Sequence, residues 1–122
     1  MANEKNFENK VKNFLKNNNC YYIKYWGGGE FTKAGIPDIL ACCNGVFLGI
    51  EIKAPNGKPS PLQIHNIKLI NKAGGIGLLL YPNDFDDFKQ LIQRLERDES
   101  VEHYKEFFNS LLERWERKLR LK

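Results

Sequence analysis

Three charged residues in the middle of the chain have types and spacing suited to hydrolytic chemistry on an anionic ester: Asp38, Glu51 and Lys53. They become neighbours only if the chain between them folds back on itself. Asn44-Gly45, set between the apolar runs 38–43 and 46–53, is the strongest short-range signal for a two-residue type I′ hairpin. That turn pairs Cys43 with Val46, Leu40 with Gly49 and Asp38 with Glu51. Directly opposed side chains share a face with Cβ atoms about 4.5–5.5 Å apart. Lys53, two residues beyond Glu51, projects from the same face, and Gly49 is expected to leave a gap beside the cluster. Val46, Leu48, Ile50 and Ile52 form the opposite, core face.

Two opposed carboxylates repel. A hard divalent cation that bridges them and keeps several waters would offset that repulsion, activate a bound water and stabilise charge on a phosphoryl oxygen. Lys53 is then placed to orient the attacking water or to neutralise a pentacovalent phosphate. Register alone is equally compatible with a surface Asp–Glu–Lys cluster in which Lys53 is simply the counterion.

The elements that must hold these residues follow from periodicity. Phe7, Val11, Phe14 and Leu15 predict an amphipathic helix over 4–17, and the aromatic, β-branched run 20–26 a strand. Gly27-Gly28-Gly29 opens a loop to Pro37. Ser60, Pro61 and Gln63 are a cap, a first-turn proline and a capping-box partner for a helix whose buried side is Ile64, Ile67 and Ile70, ended by Gly74-Gly75. Residues 76–81 read as a strand covered on both faces. Asp84 is expected to cap a third helix carrying Phe85, Phe88, Leu91, Ile92 and Leu95 inward, and 100–121 a last helical segment. The fold class is α/β: a small mixed sheet flanked by helices.

The chain has 122 residues, 42% hydrophobic and 28% charged, which fits a single domain over 1–122 and excludes collagen-like, disordered and disulfide-stapled classes. Residues 1–80 hold ten lysines against five acids, while residues 81–122 hold nine bases against ten acids. The basic excess of the first two-thirds suits an anionic partner, or a merely solvated lysine-rich surface. Cys20, Cys42 and Cys43 are an odd count without metal spacing, and all three are expected to be reduced. Without a signal-peptide core or a membrane-length apolar run, the expectation is a soluble cytoplasmic protein.

Gly35-Ile36-Pro37-Asp38, Glu51-Ile52-Lys53 and Gln63 on the next helix resemble the P-D…(D/E)-x-K nuclease superfamily and, within it, the VRR-NUC group of phage, DNA-repair and restriction-type proteins. The resemblance covers about residues 7–82. It implies a restriction-endonuclease-like core (αβββαβ, about 4–82) with a C-terminal helical extension (about 84–121). It further implies Mg²⁺ or Mn²⁺ held by Asp38, Glu51 and the backbone carbonyl of Ile52, with Lys53 as the catalytic lysine. Gln63 and Glu8 would be supporting active-site residues, although Gln63 also fits a pure capping role and Glu8 a favourable place near a helix N-terminus.

The implied function is metal-dependent cleavage of DNA. Small size, with no helicase, methylase or recognition domain, favours branched DNA such as Holliday junctions, cut by a phage-encoded enzyme in a bacterial host cell. A symmetric four-way junction suits a homodimer, and the apolar stripe of the C-terminal helix around Trp115 either caps the core or forms that interface. Lys33, Gly35 and Lys58 are candidates for nucleic-acid binding, although loop lysines are usually just solvated. Tyr21, Tyr22, Tyr25 and Trp26 suit base stacking or core packing. The rival readings are a non-catalytic nucleic-acid-binding module on the same fold and a protein-interaction domain.

Overall fold

Asn44 and Gly45 both adopt positive φ (48° and 83°), the requirement of a type I′ turn. On either side of that turn, β2 (Ile39–Cys43) and β3 (Val46–Ile52) pair antiparallel with Cys43 opposite Val46 and Leu40 opposite Gly49, the register expected from the sequence. The computed structural model describes residues 3–27, 29 and 33–121. Gly28 and residues 30–32 of the glycine-rich loop lie outside the described residues.

The chain runs α1 (Asn3–Asn17), β1 (Tyr21–Lys24), β2, β3, α2 (Pro61–Lys72), β4 (Ile76–Leu80), a 3₁₀ turn at Pro82–Asp84, α3 (Phe85–Glu96) and α4 (Glu102–Lys118). The sheet order is β1-β2-β3-β4, antiparallel except for the parallel β3–β4 pair, which α2 connects. One face packs Leu48, Ile50 and Ile52 against Val11 and Leu15 of α1 and Phe88 and Leu91 of α3. The other sets Leu79 against Ile64 and Ile67 of α2 and Leu112 of α4, with Trp115 at its margin. β4 is buried at every residue, which accounts for its unbroken apolar run. Among the described residues no helix is long and apolar enough to cross a membrane.

Five expectations need correction. β1 ends at Lys24 instead of Trp26, although Tyr25 N–H still donates to the Asp38 carbonyl at 2.8 Å. The gap at Gly49 is filled: a Cβ there would collide with Ile70 Cδ1 and come within 3.1 Å of Pro37, so loop and helix close over the strand. Asp84 precedes α3 but makes no side-chain cap. The last helix begins at Glu102 instead of residue 100, and of the two roles open to its apolar stripe it takes the core one, through Phe108 and Leu112.

The cysteines are the fifth. Cys20 and Cys43 are paired as a disulfide, with Cα atoms 4.6 Å apart. Tyr21 lies opposite Cys42 in the β1–β2 ladder, so the next step of that register sets Cys20 beside Cys43. Cys42 points the other way and is exposed, as alternation along a strand requires.

Candidate active site

The candidate residues converge at one edge of the sheet, where β2 begins and β3 ends. Asp38 Oδ2 accepts the Ile52 backbone N–H at 2.9 Å, one step past the last β2–β3 pair, Ile39 with Ile50. The aspartate therefore finishes the ladder with its side chain and is held beside Glu51. Glu51, only 4% exposed, meets α2. Its Oε2 accepts from Gln63 Nε2 at 3.0 Å and lies 3.5 Å from Lys53 Nζ. Lys53 Nζ in turn donates to Gln63 Oε1 at 3.0 Å and to the Lys58 carbonyl at 3.3 Å.

Gln63 holds this position because of how α2 starts. Ser60 Oγ accepts the Gln63 backbone N–H at 3.1 Å, and Gln63 Oε1 accepts the Ser60 N–H at 2.9 Å, a complete capping box. One carboxamide thus both completes the cap and contacts Glu51 and Lys53.

Glu8, buried on α1, joins the cluster through a residue that the sequence reading misses. Lys24 Nζ lies 2.9 Å from Glu8 Oε1 and 3.5 Å from Asp38 Oδ1, while Lys12 pairs with Glu8 Oε2 at 2.9 Å. Burial pushes the Glu8 carboxyl up, but the two ammonium groups outweigh it and hold the carboxyl below the ordinary range. Burial likewise pushes Lys24 down, and Glu8 and Asp38 outweigh it, so its ammonium is held more firmly than usual. The available signal was that Lys24 is the one charge in an aromatic strand.

Glu51 behaves oppositely. Burial, then the Asp38 charge, push its carboxyl up to about 8 against the pull of Lys53. Its Oε1 is buried and has no hydrogen-bond partner. A carboxyl that keeps a proton near neutrality, beside a second carboxylate, fits a hard cation whose charge would replace that proton. Among the described residues no group of three or more His, Cys, Asp or Glu side chains could hold a metal ion. The acidic donors at this edge are thus the two carboxylates of Asp38 and Glu51, a number that suits an ion that keeps several waters.

The nucleic-acid candidates are less alike. Lys58 is exposed beside Lys53, and its carbonyl fixes that ammonium. Lys33 is exposed, and its backbone N–H donates to the Tyr25 hydroxyl at 2.8 Å. Gly35 (φ +80°) packs against α2, where a Cβ would come within 2.6 Å of Leu62 Cγ. This close approach brings the loop onto the helix and explains the glycine without a ligand. Tyr21 and Trp26 are 75% and 70% exposed, whereas Tyr22 packs against the core.

A family model described as archaeal Holliday junction resolvase (Hjc) matches residues 2–101. The match extends past the 7–82 span of the sequence motif and takes in α3. Among curated proteins, none matches the chain.

Proposed function

The chain belongs to the archaeal Holliday junction resolvase (Hjc) family of structure-specific endonucleases, and from that premise we propose that Asp38, Glu51 and Lys53 form its catalytic centre. Asp38, Glu51 and the Ile52 carbonyl would hold Mg²⁺ or Mn²⁺, with Glu8 and Gln63 supporting them. The VRR-NUC likeness rests on the same residues and adds no different chemistry. When bound, the ion would polarise the phosphoryl oxygen and lower the pKa of the attacking water.

The residues divide the remaining work. The Ile52 N–H at 2.9 Å from Oδ2 fixes the rotation of the Asp38 carboxylate. Gln63 fixes that of Glu51 by its donation to Oε2 at 3.0 Å, leaving Oε1 free to ligate. Lys53 carries a positive charge whose position is set by Gln63 Oε1 and the Lys58 carbonyl. Of its three contacts the longest, 3.5 Å to Glu51, is the one a phosphate oxygen would compete for. The observation that carries this reading is the unpartnered, buried Glu51 Oε1 on a carboxyl pushed up to about 8. A purely structural Asp–Glu–Lys cluster has no use for such an atom.

A homodimer is the assembly we propose. On the second sheet face α2 covers β3 at Gly49, and the surface beyond that contact is open. It presents Tyr21, Ile23 and Phe47, with Leu62 and Leu69 of α2, as exposed large apolar side chains. A second copy of the chain is the partner that would supply a second centre for the second strand of a four-way junction.

Incubation of the protein with a labelled four-way junction and with linear duplex, in Mg²⁺, Mn²⁺ or EDTA, tests the function. Junction cleavage that needs the cation is expected, and Lys53→Ala is expected to lose cleavage by about 100-fold or more while still binding the junction. Binding without cleavage by the unaltered protein would leave a nucleic-acid-binding module. Equal cutting of linear duplex would remove the junction preference.

A further inference from the structure

The family match stops at residue 101, and α4 (Glu102–Lys118) begins at the next. Burial of Phe108 and Leu112 explains the apolar stripe of this helix but not its last turns. Those carry Arg114, Arg117 and Lys118, followed by Arg120, against Glu113 and Glu116. Glu116 is already paired with Lys68 at 2.6 Å. Arg114 and Lys118, one turn apart, line a cleft of about 260 Å³ together with Trp115, Tyr81, Pro55 and Asp84. Among the described residues neither Arg114 nor Lys118 forms an ion pair. The Lys118 ammonium lies 4.8 Å from the centroid of the Trp115 ring.

Position gives this cleft its meaning. Because β3 and β4 are parallel, Ile52 lies beside Leu80 at their C-terminal ends, and Lys53 and Tyr81 are the residues that follow. Tyr81 donates its hydroxyl hydrogen to the Gly57 carbonyl at 2.8 Å, and the next carbonyl along the chain, that of Lys58, accepts from Lys53 Nζ at 3.3 Å. One short loop thus separates the candidate catalytic lysine from the cleft. Asp84 is the carboxylate in the lining. Burial, then neighbouring Asp87, push its carboxyl up, and Arg114 pulls it down, so the guanidinium faces this carboxylate across the cleft.

A guanidinium and an ammonium that form no ion pair within 4 Å among the described residues, set around an indole, match a phosphate and its attached nucleoside. We propose that this cleft is a second DNA contact, which takes the phosphodiester backbone of the strand leaving the Lys53 site across residues 54–58. The proposal rests on the nuclease reading of that site. Its contact lies on a helix that the family match does not include.

Salt dependence of junction binding tests it. Binding of a labelled four-way junction, without divalent cation, is followed by anisotropy over a series of salt concentrations. Arg114→Gln/Lys118→Gln is compared with the unaltered protein. A control, Arg97→Gln/Lys105→Gln, makes the same charge change at the far end of the sheet. Loss of two phosphate contacts makes the slope of log affinity against log salt shallower by about two. The control is expected to keep the original slope, as is the charge-preserving Arg114→Lys/Lys118→Arg, which separates lost contacts from a disturbed helix. An unchanged slope in the cleft variant, or an equal change in the control, would overturn the cleft. If the unaltered protein binds and cuts junctions while the cleft variant keeps its slope, only this inference falls. A protein that binds no DNA at all removes the nuclease reading with it.

Discussion

Gln63 donates its carboxamide N–H to Glu51 Oε2 at 3.0 Å while its oxygen serves Ser60 and Lys53 at 2.9 and 3.0 Å. The start of α2 and the arrangement of the catalytic candidates are therefore one structure. Gln63→Glu separates the two. A glutamate still accepts the Ser60 N–H, so the cap is kept, but it replaces a donor to Glu51 with a third acidic group. Cleavage is expected to fall about 10- to 100-fold and its pH profile to move upward. Gln63→Ala should also lose about 1 kcal/mol of stability with the cap. Wild-type rates and pH profile in Gln63→Glu would leave the residue a cap alone.

The elevated Glu51 carboxyl sets a pH dependence. Its folded value of about 8 lies above the ordinary 4.5 of an exposed glutamate, so between the two the folded protein binds more protons than the unfolded. Stability without divalent cation should then fall as pH rises from about 5 to about 8 and level off above. A cation competes with the same proton, so its apparent affinity should rise across that window. Melting temperatures in EDTA and in Mg²⁺ over this range check both. A cation-free stability that rises through the window would contradict the assignment.

Asp38→Asn removes one of two repelling charges yet keeps an oxygen for the Ile52 N–H. Without metal the variant is expected to be more stable by a few tenths to about 1 kcal/mol, because Lys24 retains Glu8. Metal binding measured by calorimetry should be lost with the carboxylate. A variant that still binds the ion would remove Asp38 from the ligand set.

Lys24 joins Glu8 to Asp38, so Lys24→Met leaves Glu8 buried with Lys12 as its remaining cation. A loss of about 1–3 kcal/mol in denaturant unfolding is expected. Cleavage by the folded fraction should also drop, with partial recovery in Lys24→Arg. Full activity per folded molecule in Lys24→Met would confine the residue to stability.

What the sequence made legible is what local chemistry determines. Asn44-Gly45 fixed the register of β2 against β3, and with it the meeting of Asp38, Glu51 and Lys53, because a two-residue turn allows one pairing. Ser60 and Gln63 announced α2 for the same reason. The misses are contacts between distant segments. The Cys20–Cys43 bridge spans 23 residues and follows from the pairing of β1 with β2, which no turn dictates. Lys24 became part of the site through that same pairing. The gap at Gly49 was filled by Pro37 and Ile70, residues whose approach depends on α2 docking.

The double engagement of Gln63 also bears on how such a chain would age. If its nuclease activity were lost, the cap of α2 would still select glutamine or glutamate at 63, and the residue would outlive its chemistry. Lys24 closes no turn and starts no helix. Selection on folding would still hold it through buried Glu8, so glutamine at 63 and lysine at 24 would both outlast the activity.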